Sequence, residues 1–177
     1  MATPTFNELS RQLIDTFDAI DEVTLNSITV TGKWSIGQCI DHIRRTNAAY
    51  IPALESLLKP DHKPNFWERN SPFTDSIGKS MILQLGTAVN RRYKAPRLFQ
   101  PSVRGITKEI VVATAEQLIR FEGIFRELEE RNALSKVVRS PVSPLITIRA
   151  GDLLESLKGH TARHLAQAGQ AATVKGI

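Results

Sequence analysis

The residues of this 177-residue chain best suited to chemistry are its four histidines, His42, His62, His160 and His164. His160-Thr-Ala-Arg-His164 spaces two imidazoles four residues apart, which on a helix sets them on one face, one turn apart. Paired helical histidines grip a zinc-like ion with this geometry. At 100° per residue, with Leu153 as origin, Leu157 falls at about +40°, His160 at about −20° and His164 at about +20°, so both rings are expected to look into the core. Gln167, at about −40°, is placed to orient one of them. His42 sits about 120° from the centre of its own helix's apolar stripe. Its flank carries Thr46, Ala49 and Ala53, small residues that leave room for a ligand and equally suit an exposed surface. A histidine pair also suits a hydrogen-bonded core, so spacing alone leaves metal binding and a structural role both open. His62, in Asp-His-Lys-Pro, reads as an exposed loop residue. Cys39 is the only cysteine. It reads as a small buried hydrophobe, and it excludes an intrachain disulfide and a thiolate zinc cage. No glycine-rich phosphate loop, serine elbow or HExxH is present. Asp152 and Glu155 read as solvated carboxylates of the last helix.

Four helices are expected to position these residues. The first opens at Thr5-Phe6-Asn7-Glu8, a capping box, and continues with Phe6, Leu9, Leu13, Phe17 and Ile20 at three- and four-residue steps. Residues 21–33, with Val23, Ile28 and Val30, read as a turn and connector. The second helix opens at Ser35-Ile36-Gly37-Gln38, a second capping box, with Trp34 as a hydrophobic staple. Ile36, Ile40, Ile43, Tyr50, Leu54 and Leu58 form its stripe. Pro52 is expected to kink it or end it early, and Lys59-Pro60 closes it. Residues 60–113 hold five prolines and read as a long crossover. A short helix fits at about 75–90, with Ile77, Met81, Ile82 and Leu85 inward. Thr114-Ala-Glu-Gln117 is expected to cap the third core helix, followed by Leu118, Phe121, Phe125 and Leu128. Residues 133–148 read as a loop, and the last helix runs from about Arg149 to Ala172, with Leu153, Leu157, Thr161, Ala168 and Ala171 on one face. Strand signals are weak, at most Ile106–Val112 and Pro144–Ile148. The fold class expected is all-α: a four-helix bundle whose long crossover lets the third helix run parallel to the second.

Composition narrows the function classes. Hydrophobic residues make up 41% and charged residues 23% of the chain, an ordinary globular balance of a size that suits one domain over 1–177. No apolar run approaches the roughly 18 residues of a spanning helix, so no membrane partner is expected. The N-terminus lacks a basic stretch followed by an apolar one, which points to a cytoplasmic protein. The net charge is +5, and part of the excess clusters in Arg91, Arg92, Lys94, Arg97 and Arg104. This cluster fits a solvated basic loop, or else a patch for an anionic ligand. Only Tyr93 and Phe99 interleave with these charges, and Pro96 and Pro101 break the run, so no nucleic-acid platform is expected.

Trp34-Ser35, then His42 in Asp41-His42-Ile43, then His160-Thr-Ala-Arg-His164-Leu165-Ala-Gln167 together resemble the DinB-like superfamily of metal-dependent enzymes. Lys94-Ala-Pro96-Arg-Leu-Phe99-Gln-Pro101 resembles its proline-rich crossover. The resemblance spans roughly residues 5–172. It implies a four-helix bundle in which His42, His160 and His164 meet at one end and hold a divalent metal ion, zinc or nickel. It leaves the chemistry open, since relatives include S-transferases using low-molecular-weight thiols, hydrolases, and members without known activity.

Three neutral imidazoles leave at least one coordination position open, as in a catalytic site. An ion there could activate water for hydrolysis or bind a thiol as thiolate for transfer to an electrophile. No carboxylate base stands beside the triad, which weighs against hydrolysis. Arg163, Arg91 and Arg92 are candidates for an anionic cosubstrate. The expected partners are a small-molecule substrate and a second copy of the chain, as a homodimer. A non-catalytic interaction or dimerisation bundle with a vestigial site is the alternative.

Overall fold

The computed structural model describes residues 3–28, 33–85 and 95–173. Val30, the 86–90 end of the expected short helix, Arg91, Arg92, Tyr93 and Lys94 lie outside the described residues, as does the side chain of Leu85. The described chain is all-α apart from one two-stranded sheet.

Helix α1 (Phe6–Phe17) starts where the capping box places it: Thr5 Oγ1 accepts from Glu8 N at 3.2 Å, and Thr5 N donates to Glu8 Oε2 at 2.7 Å. Phe6, Leu9, Leu13 and Phe17 are buried along one stripe. The stripe rests on α6 (Ile110–Glu130), where the Phe6 ring lies 5.4 Å from Phe121 and 6.3 Å from Phe125. Aromatic pairs of this kind contribute about 0.5–1.5 kcal/mol beyond burial. Ser10 Oγ adds a hydrogen bond to the Ala115 carbonyl at 3.1 Å.

Helix α3 (Ile36–Leu58) is capped by Ser35 and Gln38 reciprocally, both bonds at 3.1 Å. It runs unbroken past Pro52 instead of ending there. Pro52 removes the donor to the Ala48 carbonyl, but both residues lie on the exposed side of the helix, where that carbonyl is open to solvent. Helix α7 (Ala150–Thr173) buries Leu153, Leu157, Thr161, Ala168 and Ala171, the face expected from periodicity. Helix α1 packs on α6, α6 on α3, α3 on α7, and α7 more narrowly on α1, so the four long helices close around one core.

Several local expectations are corrected. Helix α6 starts one turn before Thr114, which is fully buried within the helix and caps nothing. Residues 106–112 form no strand. Both backbone groups of Ile106 are taken by the Asn26 side chain, at 3.1 and 2.7 Å, and the helix follows at Ile110. Asn26 ends a short helix, α2 (Glu22–Asn26), inside the supposed connector. Asp21 caps α2, accepting from Thr24 N at 2.8 Å. The loop expected at 133–148 is a hairpin of β1 (Val137–Ser140) and β2 (Ser143–Arg149), the second covering the strand signal at Pro144–Ile148, antiparallel with Val138 opposite Ile148. Two helices lie within the crossover: α4 (Phe66–Asn70), outside every expected element, and α5 (Thr74–Leu85), at the place of the expected short helix, which packs on α7 and β2. The approach of α5 to α7 is close at Gly78, where a Cβ would lie 2.3 Å from Asp152 Oδ2. Asp152 is accordingly half-buried, not fully solvated. His62 is half-buried between α3 and α4, not exposed.

The end of the crossover, residues 95–109, is fastened to the first half of α3. A single 3-10 turn, Arg97–Phe99, buries Phe99 beside Tyr50 with ring centroids 6.2 Å apart. Ser102 N donates to Asp41 Oδ2 at 2.7 Å, and its carbonyl accepts from Gln38 Nε2 at 3.2 Å. Gly37 lets α2 and Ile106 close over the start of α3: a Cβ there would meet the Leu25 backbone oxygen at 3.1 Å and Ile106 Cγ2 at 3.2 Å.

Candidate metal centre

His42, His160 and His164 converge. One ring nitrogen from each lies within 4.8 Å of the other two, so the group could hold a metal ion. The rings are 4%, 4% and 6% exposed. Their centroids are 4.9 Å apart for His42 and His160, 4.6 Å for His42 and His164, and 4.5 Å for His160 and His164. Helical spacing on α7 supplies two of the rings. The packing of α3 on α7 brings the third from the flank that periodicity left open between ligand and solvent.

His42 is set by the crossover. Its Nδ1 lies 2.6 Å from the Phe99 carbonyl, which can only accept, so Nδ1 carries the proton and Nε2 presents a lone pair. That lone pair faces His160 Nε2 at 3.0 Å. Two nitrogens on a tetrahedral ion at about 2.0–2.1 Å stand roughly 3.3 Å apart, so the separation is close to that of a shared ion. His164 Nε2 accepts from Arg163 Nη2 at 3.3 Å. The Nδ1 atoms of His160 and His164 are buried without a partner. With a proton on Nδ1, each of these rings also keeps its Nε2 lone pair for a ligand. The donor set therefore fits a divalent ion such as zinc: three neutral imidazoles, with the His42 lone pair turned inward and its proton fixed by a backbone carbonyl.

Electrostatics keep the imidazoles neutral. Burial lowers all three pKa values from the ordinary histidine range. For His160, held well below that range, burial is followed by the nearby His164, His42 and Arg163. For His164, burial followed by His42 and Arg163 brings the value to about 3, with the neighbouring Gln167 acting in the opposite sense. For His42, the bond to Phe99 partly offsets burial. Neutral imidazole is the form that ligates.

The surrounding residues show what the sequence concealed. Trp34 packs its ring on the site, 4.7 Å from His42 and 5.7 Å from His164, beyond any staple role. Asp41 is 3% exposed and turned away from the triad, accepting from Ser102 N at 2.7 Å and from Arg45 Nε at 2.8 Å. It supplies no base at the triad and instead ties the crossover to α3 one residue from His42. Cys39 is fully buried, and burial pushes its thiol up to about 12, so it is an inert core residue. His62 stays outside the group. Phe99 acts through its carbonyl, which no side-chain motif can announce.

No curated protein and no solved structure shows a significant match to the chain. The family model for the DinB superfamily matches residues 5–168. That span covers the capped first helix, the crossover and all three converging histidines, and the chain belongs to the DinB superfamily.

Proposed function

We propose that His42, His160 and His164 hold a divalent ion, zinc or nickel, and that the chain is a metal-dependent enzyme acting on a small molecule. The convergence of three buried neutral imidazoles, ligand atoms within 4.8 Å of one another, carries this reading. Three protein ligands leave a coordination position open. When bound, the ion would supply Lewis acidity toward a ligand in that position. The chain's own residues hold the imidazoles neutral, fix the His42 tautomer through Phe99, and exclude water with Trp34 and the crossover. Of the two chemistries, thiol S-transfer fits better than hydrolysis. A hydrolase gains from a carboxylate that takes a proton from water, and Asp41 is committed to Ser102 and Arg45. A low-molecular-weight thiol is thus the expected cosubstrate.

A second reading, a non-catalytic interaction or dimerisation bundle, is favoured by the depth of the triad, whose rings are at most 6% exposed. Metal analysis of tag-free protein by mass spectrometry separates the two. About one equivalent of a transition metal, lost in both His160→Ala and His164→Ala, supports the enzyme reading. Metal-free protein that takes up none on titration refutes it.

A further inference from the structure

Arg163 lies on α7 between the two histidines, half-buried, with Nη2 3.3 Å from His164 Nε2. Its Nε is buried without any partner. Among the described residues no carboxylate forms a salt bridge with it; the other described arginines without one are all exposed, whereas Arg163 is half-buried. A guanidinium is permanently charged and presents its donors in a planar fork, so leaving it half-buried and unmatched is unfavourable. Its one acceptor is also temporary, because the His164 lone pair it contacts is the one an ion would take.

The charge of the loaded site, which rests on the metal reading above, is unbalanced. Three neutral imidazoles leave a divalent ion with its full +2. Arg163 adds a third positive charge. Asp41, the carboxylate nearest His42 in sequence, is neutralised by Arg45 at 2.8 Å. The loaded site would hold an excess of positive charge that the described groups around it do not balance, beside a fork whose geometry matches an oxyanion.

We infer that the site takes a small molecule bearing an oxyanion, a carboxylate or a phosphate, which spans from the open position of the ion to the Arg163 guanidinium. Arg163 is then a substrate-binding residue, and it restricts the substrate class to anions.

The test uses the full chain loaded with cobalt(II), as wild type, Arg163→Met and Arg163→Lys. Inorganic phosphate or acetate is titrated in at constant ionic strength and followed by the visible absorption of the metal. Wild type should show a saturable change. Arg163→Met should bind the same anion about 10- to 100-fold more weakly, and Arg163→Lys should fall between. In anion-free buffer Arg163→Met should hold cobalt at least as tightly as wild type, since a nearby positive charge has gone. A merely damaged site would hold it less tightly. Preference for phosphate or for acetate assigns the group the substrate carries, and either preference supports the inference. Equal anion affinity in wild type and Arg163→Met overturns it while leaving the metal reading standing. Failure of folded wild type to take up cobalt overturns the metal reading, and this inference with it.

Discussion

At the scale of single residues, the bond from His42 Nδ1 to the Phe99 carbonyl does more than fill a donor. It turns a histidine that periodicity left between two readings into one with a fixed tautomer and an inward lone pair. Asp41 supports it indirectly by holding Ser102 three residues further along the crossover. Asp41→Asn keeps an acceptor for Ser102 N but loses the ion pair with Arg45, so it should weaken metal binding by at most about 10-fold, the low end for a direct outer partner of a ligand, as measured by competition with a chromophoric chelator. His164 also carries a pH signature. Unfolded, it takes up a proton near the ordinary histidine value of about 6.5; folded, it does so only at about 3. Between these values the unfolded chain binds more protons, so its share of the native stability is full above about 6.5 and is lost as pH falls toward 3. Urea titrations of the metal-free protein at steps from pH 7 to 4 should show this decline, with a shallower slope in His164→Gln. An unchanged slope would mean that the ring is not desolvated in solution.

At the scale of elements, helices announced by caps and long stripes were legible. Thr5 and Ser35 mark their helix starts, and the α7 stripe puts both of its histidines inward. Elements stabilised by partners distant in sequence were not. The short α2 depends on Leu25 reaching the core and on Asn26 gripping Ile106 from 80 residues away. The hairpin's first strand has four residues, too few for alternation to register. The convergence of the third histidine was only half legible, because it depends on how α3 docks on α7 and on a backbone carbonyl. Gly37 shows how tightly this end is built. Gly37→Ala would press a methyl on the Leu25 backbone and should destabilise the fold by about 1–3 kcal/mol, readable as a lower urea midpoint with an unchanged m-value. An unchanged midpoint would show that α2 is free to give way.

At the scale of the whole molecule, four helices from distant parts of the chain meet around one core, and the triad joins α3 to α7. An ion there would act as a crosslink present only in the folded state. At a free metal concentration about 1,000 times Kd, it should add roughly 4 kcal/mol to stability. That would raise the melting temperature by roughly 8–16 °C, and chelator should reverse the rise. Equal melting curves with and without metal would contradict the site. The charge of +5 raises the question of nucleic acid. The sequence predicts no nucleic-acid platform, so gel shifts with duplex DNA at physiological salt should show no binding. A retarded band that weakens steeply with added salt would count against this view.

The placement of Trp34 has an optical consequence. Its indole lies 4.7 Å from His42 and 5.7 Å from His164. The chain has one other tryptophan, Trp67, on α4 and 40% exposed. In a Trp67→Phe background the protein would carry a single emitter resting against two of the three proposed ligands. Nickel or cobalt entering the triad should then quench most of the remaining fluorescence, while zinc should alter its intensity without extinguishing it. The chain would report its own occupancy without label or substrate.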